Sequence, residues 1–241
     1  MVFKDMSEEI IKEAPERMQE MLRSVYAFNK GVGSGRLLKH ILKAMGVIDR
    51  KIFTYFKNPY EDNAIPIGRD QTISQPSTVA RMLLLADLKE GDKVLEIGAG
   101  SGWNAALMAF LVYPGDVISV DRIKELVELC NRNISDLKQS TEDEGVIARL
   151  ENLYFLQDDI FTERGLWGKS FDKIIFTAGI PDKKTEKKIK EIAEELLEED
   201  GILICPYVSG PLVIYRKKKK ITREETKEQY VFVPLLEGIE E

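Results

Sequence analysis

Between Val94 and Asp121 the chain sets two carboxylates around a run of glycines. Glu96 stands two residues before Gly98, the turn reads Gly98-Ala99-Gly100-Ser101-Gly102, and Asp121 follows about twenty residues after the glycines. Glycines at the end of a strand permit a tight turn and let the backbone approach a ligand closely. The alanine- and leucine-rich segment Trp103–Val112 then predicts a helix whose N-terminus presents free amides to the same crevice. Glu96 could meet a cationic group of that ligand. A dinucleotide is one possible occupant, but its fingerprint is GxGxxG. Here the spacing is GxGxG, and Trp103 stands where the third glycine would allow close helix–strand packing.

Asp121 ends the apolar run from Val117, and two roles are open to it. A carboxylate at this spacing can accept ribose hydroxyls. It can equally cap a helix expected over Arg122–Leu137. A second polar cluster, Gln71-Thr72-Ile73-Ser74-Gln75-Pro76, precedes an apolar helix-like run to Leu85. Thr72 and Ser74 could clamp a substrate, or could serve only the turn and the helix start. Thr177 and Ala178 end a further strand, where open α/β sheets bind ligands; an ordinary strand-end role is the alternative.

Strand and helix patterns alternate from Asp92 onward, as in an α/β protein with a parallel sheet. Strands are expected at Lys93–Ile97, Val117–Asp121, Leu153–Gln157, Lys173–Thr177, Ile202–Pro206, Leu212–Arg216 and Tyr230–Val233, the last two forming an antiparallel pair. Lys183–Leu197 predicts another helix. Between the final strands the run Lys217–Lys220 is expected to be a solvated hairpin arm, balanced by Glu224, Glu225 and Glu228. Upstream, Ser7–Phe28 has near-helical apolar spacing, and Leu37–Met45 and Ile52–Phe56 predict two shorter helices. The glycines between Gly31 and Gly35 follow no strand and lack a P-loop lysine, so a flexible turn is expected there.

The chain has 241 residues, 44% of them hydrophobic, enough for one domain with additions. Its net charge of −6 argues against general nucleic-acid binding. No apolar run is long enough to span a membrane, and the N-terminus lacks a signal-peptide pattern, so the expected location is cytoplasmic. His40 is the single histidine, and Cys130 and Cys205 form no CxxC pair. A metal site and a histidine-dependent nucleophile therefore have little support, and reduced thiols are expected. The high Lys and Glu content is a feature of hyperthermophile proteomes.

The combination ExGxGxG resembles motif I of S-adenosylmethionine-dependent methyltransferases. With PIGRDQTISQP at Pro66–Pro76, VLEIGAGSG at Val94–Gly102 and FDKIIFTAGIP at Phe171–Pro181, the chain resembles the protein-L-isoaspartate O-methyltransferase family from about Tyr60 to its end. Weaker matches are GILICP at Gly201–Pro206 and YVFVPL at Tyr230–Leu235. The resemblance implies a doubly wound, mostly parallel seven-stranded Rossmann-like sheet over residues 60–241, with residues 1–59 as a helical extension. It implies methyl transfer from S-adenosylmethionine to the free α-carboxylate of isoaspartyl residues in damaged proteins and peptides, without metal, nucleic acid or membrane, by a chain expected to be monomeric. Ser74 and Thr72 would take the catalytic role, with Ile73, Gln75, Pro76 and Thr177 against the substrate. The cofactor would be held by Glu96, Gly98, Ala99, Gly100, Gly102, Asp121, Arg122, Asp158, Asp159, Thr177 and Ala178.

The chain departs from the family pattern at Asp70, usually small or an amide, and at Ser77, often aromatic or histidine. Gln157-Asp158-Asp159 replaces Gly-Asp-Gly, and Gly179 replaces a common alanine. A carboxylate at Asp70 beside the clamp could repel an anionic substrate. Two other functions are therefore carried: a methyltransferase for another acceptor, and a non-catalytic cofactor-binding homologue acting as a partner module.

Overall fold

The computed structural model describes residues 6–162 and 170–240. Its centre is a seven-stranded sheet in the order β10-β9-β7-β6-β3-β4-β5. Here β3 is Val94–Ile97, β4 Val117–Asp121, β5 Leu153–Gln157, β6 Phe171–Phe176, β7 Leu197–Pro206, β9 Leu212–Lys217 and β10 Ile221–Glu225. Within this sheet β3, β4, β5, β6 and β7 pair in parallel, while β9 is antiparallel to both its neighbours, β7 and β10. All four residues of β3 are buried, as befits a strand covered on both faces. The chain leaves β3 towards β4 on one side and returns to β6 on the other. This reversal opens a crevice at the strands' carboxyl ends.

The expected seventh strand needs correction. Tyr230–Val231 (β11) does not join the large sheet; it pairs with Ser209–Gly210 (β8) in a separate two-stranded piece. The edge position belongs instead to β10, joined to β9 by a turn in the expected lysine run. The sequence ITREE of β10 is mostly exposed and polar, so apolar alternation does not mark it. Tyr230 and Phe232 do alternate, because they cover the core.

Helix α5 (Trp103–Val112) starts directly after the glycines, as expected. Helix α6 spans Lys124–Ser140 and starts two residues later than expected. The reason is that Ile123 pairs with Glu240, drawing the chain past β4 into extended backbone. The short helix α7 (Glu144–Arg149) was not anticipated; Asp143 caps it by accepting the Gly145 and Val146 amides. Helix α8 covers Lys183–Leu196.

The N-terminal apolar pattern forms two helices, α1 (Met6–Glu13) and α2 (Glu16–Asn29), because Pro15 interrupts them. They are followed by α3 (Gly35–Val47) and a 3-10 turn, Arg50–Phe53, in place of the expected helix Ile52–Phe56. Helix α2 packs on α4 (Pro76–Leu85) and α3 packs on α5. The N-terminal helices thus share a hydrophobic cluster with the two helices that flank the crevice. Between them, β1 (Ile65–Gly68) and β2 (Gln71–Ile73) form a hairpin turning through Arg69 and Asp70, both at positive φ. No described helix is long and apolar enough to cross a membrane.

Candidate active site

The glycine turn is tied to three strands. The Gly98 and Ala99 amides donate to the Val120 carbonyl at 2.8 and 3.1 Å. The Thr177 amide donates to the Ile97 carbonyl at 2.9 Å, and the Thr177 hydroxyl to the Gly98 carbonyl. Gly98, with φ +101°, has no room for a side chain: a Cβ there would lie 2.3 Å from Thr177 Oγ1. Gly102 lies behind the turn, where a Cβ would press on Phe155 and Cys130 at 3.2–3.3 Å. Its service is to helix packing.

Asp121 is buried at the end of β4. One carboxylate oxygen accepts the Gly100 amide at 3.0 Å and the other the Ile123 amide at 3.0 Å. Burial raises its pKa, while these amides oppose the shift. Asp121 therefore ties the turn between β4 and α6 to the glycine loop, and does not cap a helix starting at Arg122. Glu96 is completely buried and accepts from Ser119 and from Asn104 Nδ2. Burial pushes its pKa up to about 8.

Two adjoining cavities follow the crevice and share Gln71, Gly98, Asp121 and Ala178. The first is walled by Arg122, Ile123, Asp158, Asp159 and Ile160, with Pro234–Leu236 opposite. The second is walled by Thr72, Ile73, Ser74, Glu96, Ala99, Gly100, Asn104 and Thr177. It meets a groove of about 410 Å³ at Thr72, Ser74, Thr177 and Val233, and this groove continues past Gln75, Thr78 and Tyr230–Phe232. The expected site residues thus gather around one crevice, except Gly102 and Pro76, which line none of these spaces. Pro76 opens α4.

Several placements differ in kind from a direct ligand contact. Both oxygens of Asp159 accept backbone amides, from Phe161 and from Gly238 at 2.6 Å. Arg122 donates to the Gly238 carbonyl and pairs with Glu240 at 2.8 Å. These two residues fasten the C-terminal segment across the first cavity. Asp70 is exposed at the hairpin turn and lines neither cavity nor groove. Gln71, Asn104 and the walls from Tyr230 to Leu236 were not among the expected site residues. Gln71 opens the polar cluster itself and Asn104 follows the glycine turn by two residues, whereas Val233–Leu236 reach the site through tertiary contacts alone.

Does this crevice suit S-adenosylmethionine? The left-handed glycine turn brings backbone close to the second cavity, and Asn104 Oδ1 is buried on its wall without a hydrogen-bond partner among the described residues. That oxygen can accept from an ammonium group, with Glu96 behind it holding the Asn104 side chain in place. The carboxylate of Asp121 lies between the two cavities, where it suits a ribose. A sheet crevice with these groups defines an α/β enzyme for a nucleoside cofactor.

The comparisons with known proteins narrow this class. The model of the protein-L-isoaspartate(D-aspartate) O-methyltransferase family matches residues 28–240, and the chain belongs to that family. A protein-L-isoaspartate O-methyltransferase from Methanothrix thermoacetophila is 37% identical over 82% of this chain and 88% of its own length. Another, from Ignicoccus hospitalis, is 34% identical over 92% of this chain and 98% of its own. In fold, the chain is similar to a crystal structure from Plasmodium falciparum, assigned to the same enzyme and solved with S-adenosyl-L-homocysteine. The TM-score is 0.74 at 24% identity, over 92% of this chain and 99% of that one. The activity that goes with this membership is O-methylation of L-isoaspartyl residues, a protein-repair reaction that uses S-adenosylmethionine.

Proposed function

We propose that the chain methylates the free α-carboxylate of isoaspartyl residues by holding that carboxylate at Ser74, in line with a methyl group presented at the glycine turn. The observation that carries this reading is the junction at Thr72, Ser74 and Thr177, which wall both the cofactor cavity and the open groove. Ser74 and Thr72 supply hydroxyls to the substrate carboxylate. Ile73, Gln75 and Thr177 shape its surroundings, and Pro76 orients the segment at the start of α4. Glu96, with Asn104 beside it, faces the ammonium end of the cofactor. Gly98, Ala99 and Gly100 offer backbone, Asp121 takes the ribose hydroxyls, and Asp158 takes the adenine amine. Arg122 and Asp159 support this end by fixing the C-terminal segment. Ala178 lines both cavities at the end of β6.

Bound S-adenosylmethionine supplies a methyl group on a positively charged sulfur. The substrate carboxylate has an ordinary pKa near 4, so it is ionised at neutral pH and needs no base. Its oxygen forms the new bond to carbon as the carbon–sulfur bond breaks and that electron pair returns to sulfur. The chain's contribution is alignment, worth as much as roughly 7–11 kcal/mol in favourable cases. Among the described residues the groove is walled by Thr, Ser, Gln, Tyr and apolar side chains, with no Asp, Glu, Lys, Arg or His. We further propose that the enzyme is cytoplasmic and monomeric.

The test is transfer of labelled methyl to a synthetic isoaspartyl peptide beside its aspartyl twin. Label on the isoaspartyl peptide alone is expected. Equal labelling of both peptides would refute recognition of the free α-carboxylate.

A further inference from the structure

Arg50 is fully buried, yet among the described residues no carboxylate hydrogen-bonds to it. Its terminal nitrogens donate instead to four carbonyls: Pro59 and Glu61 from one nitrogen, Asn63 and Ser74 from the other, at 2.5–3.2 Å. Burial pulls its pKa down to about 10, so it stays cationic at neutral pH. Three acceptors belong to the loop 59–63, and the fourth is the carbonyl of Ser74. That same loop carries Asp62, which accepts the Ser77 amide and hydroxyl at 2.8 and 2.6 Å and the Gln75 side chain at 3.3 Å. The segment Ser74–Ser77 is therefore held at its start by Arg50 and further along by Asp62, and Arg50 in turn grips the loop that carries Asp62. The guanidinium carbon also lies 5.3 Å from the centroid of the Trp103 ring. Trp103, the first residue of α5 after the glycine turn, donates its indole N–H to the Ile48 carbonyl at 3.2 Å.

We propose that Arg50 is a positioning residue for methyl transfer, acting through the Ser74 carbonyl on the substrate clamp and through the Trp103 ring on the cofactor turn. This rests on the reading of Ser74 as a substrate contact. One planar cation then sets the distance between the two halves of the site. A flexible ammonium cannot span four carbonyls in this fork geometry. In-line transfer is sensitive to that spacing, since misplacement by about 1 Å can cost about a hundredfold in rate. It also gives the N-terminal 59 residues a part in catalysis, because Arg50 reaches the clamp from them.

The test is a double-mutant cycle of R50K and S74A, with R50M as the harsher variant. The readouts are kcat and KM for the isoaspartyl peptide, cofactor Kd, and hydrogen exchange at residues 71–76. R50K is expected to fold, to keep cofactor Kd within about threefold, and to lower kcat/KM about 10–100-fold. Exchange at 71–76 should quicken, and S74A should cost much less in the R50K background than in the parent. R50M should lose more than R50K, provided it folds. If S74A alone leaves the rate unchanged, the clamp reading fails. If S74A impairs the enzyme but R50K does not, or if their effects simply multiply, the Arg50 proposal is overturned and the clamp stands.

Discussion

The amide of Gly100 donates to the carboxylate of Asp121 at 3.0 Å, joining the turn after β3 to the end of β4. The ligand-facing backbone and the proposed ribose acceptor are thus one hydrogen-bonded unit. Whatever moves Asp121 also moves the glycine turn.

Asp121→Ala is therefore expected to weaken S-adenosylmethionine binding at least about tenfold, the loss of a charge-assisted hydrogen bond of about 1.5–3 kcal/mol. Calorimetric titration measures this directly. Because burial raises the Asp121 pKa, parent affinity should also fall as the pH drops towards the acid range. An unaltered affinity in the variant would remove the ribose assignment.

Glu96 should make stability fall with rising pH. Its folded pKa of about 8 lies above the ordinary value of 4.5, so the unfolded chain releases the proton first. The penalty is absent below about pH 4.5, grows to about pH 8 and is constant above. Glu96→Gln should lack this slope, gaining on the parent at pH 9 relative to pH 5 in urea unfolding. Parallel curves at the two pH values would contradict the buried titration.

The resemblance to the family pattern puts alanine where Gly179 stands, but here alanine should be harmful. A Cβ would lie 2.5 Å from the Val208 amide nitrogen and 2.7 Å from the Tyr207 carbonyl carbon. These are backbone atoms, and Gly179 is itself bonded to Val233 and Leu235. Gly179→Ala is expected to cost about 1–3 kcal/mol, as overpacking usually does. Thermal unfolding of the variant at or above the parent midpoint would show that the loop relaxes freely.

Asp70 raised the prospect of repulsion beside the clamp, but it is exposed at the hairpin turn, away from the groove. Asp70→Asn keeps a residue that tolerates its φ of +53°. Steady-state kinetics should show KM for the isoaspartyl peptide within about twofold, since exposed charges are screened by salt. A large drop in KM would restore the repulsion idea.

Much of this protein is local, and so was legible in its residues. Buried parallel strands read as apolar runs, glycines announce a turn at positive φ, and the alanine- and leucine-rich run after Gly102 marks a helix; β3, β4, α5 and the loop between them were all visible for this reason. The order of Thr72–Ser74, Glu96–Gly102 and Thr177 was enough to suggest a donor crevice and a substrate clamp. Only the tertiary structure decided what depends on distant partners. The polar strand β10 has no periodicity of its own and exists because β9 offers it an edge. Tyr230 and Phe232 alternate like a strand but serve the core. Asp159 looks like a ligand residue until Gly238 is seen to occupy it, and Arg50 looks like one surface cation among many. Its role arises because four carbonyls from separated parts of the chain converge on one buried guanidinium, a convergence that no local pattern encodes.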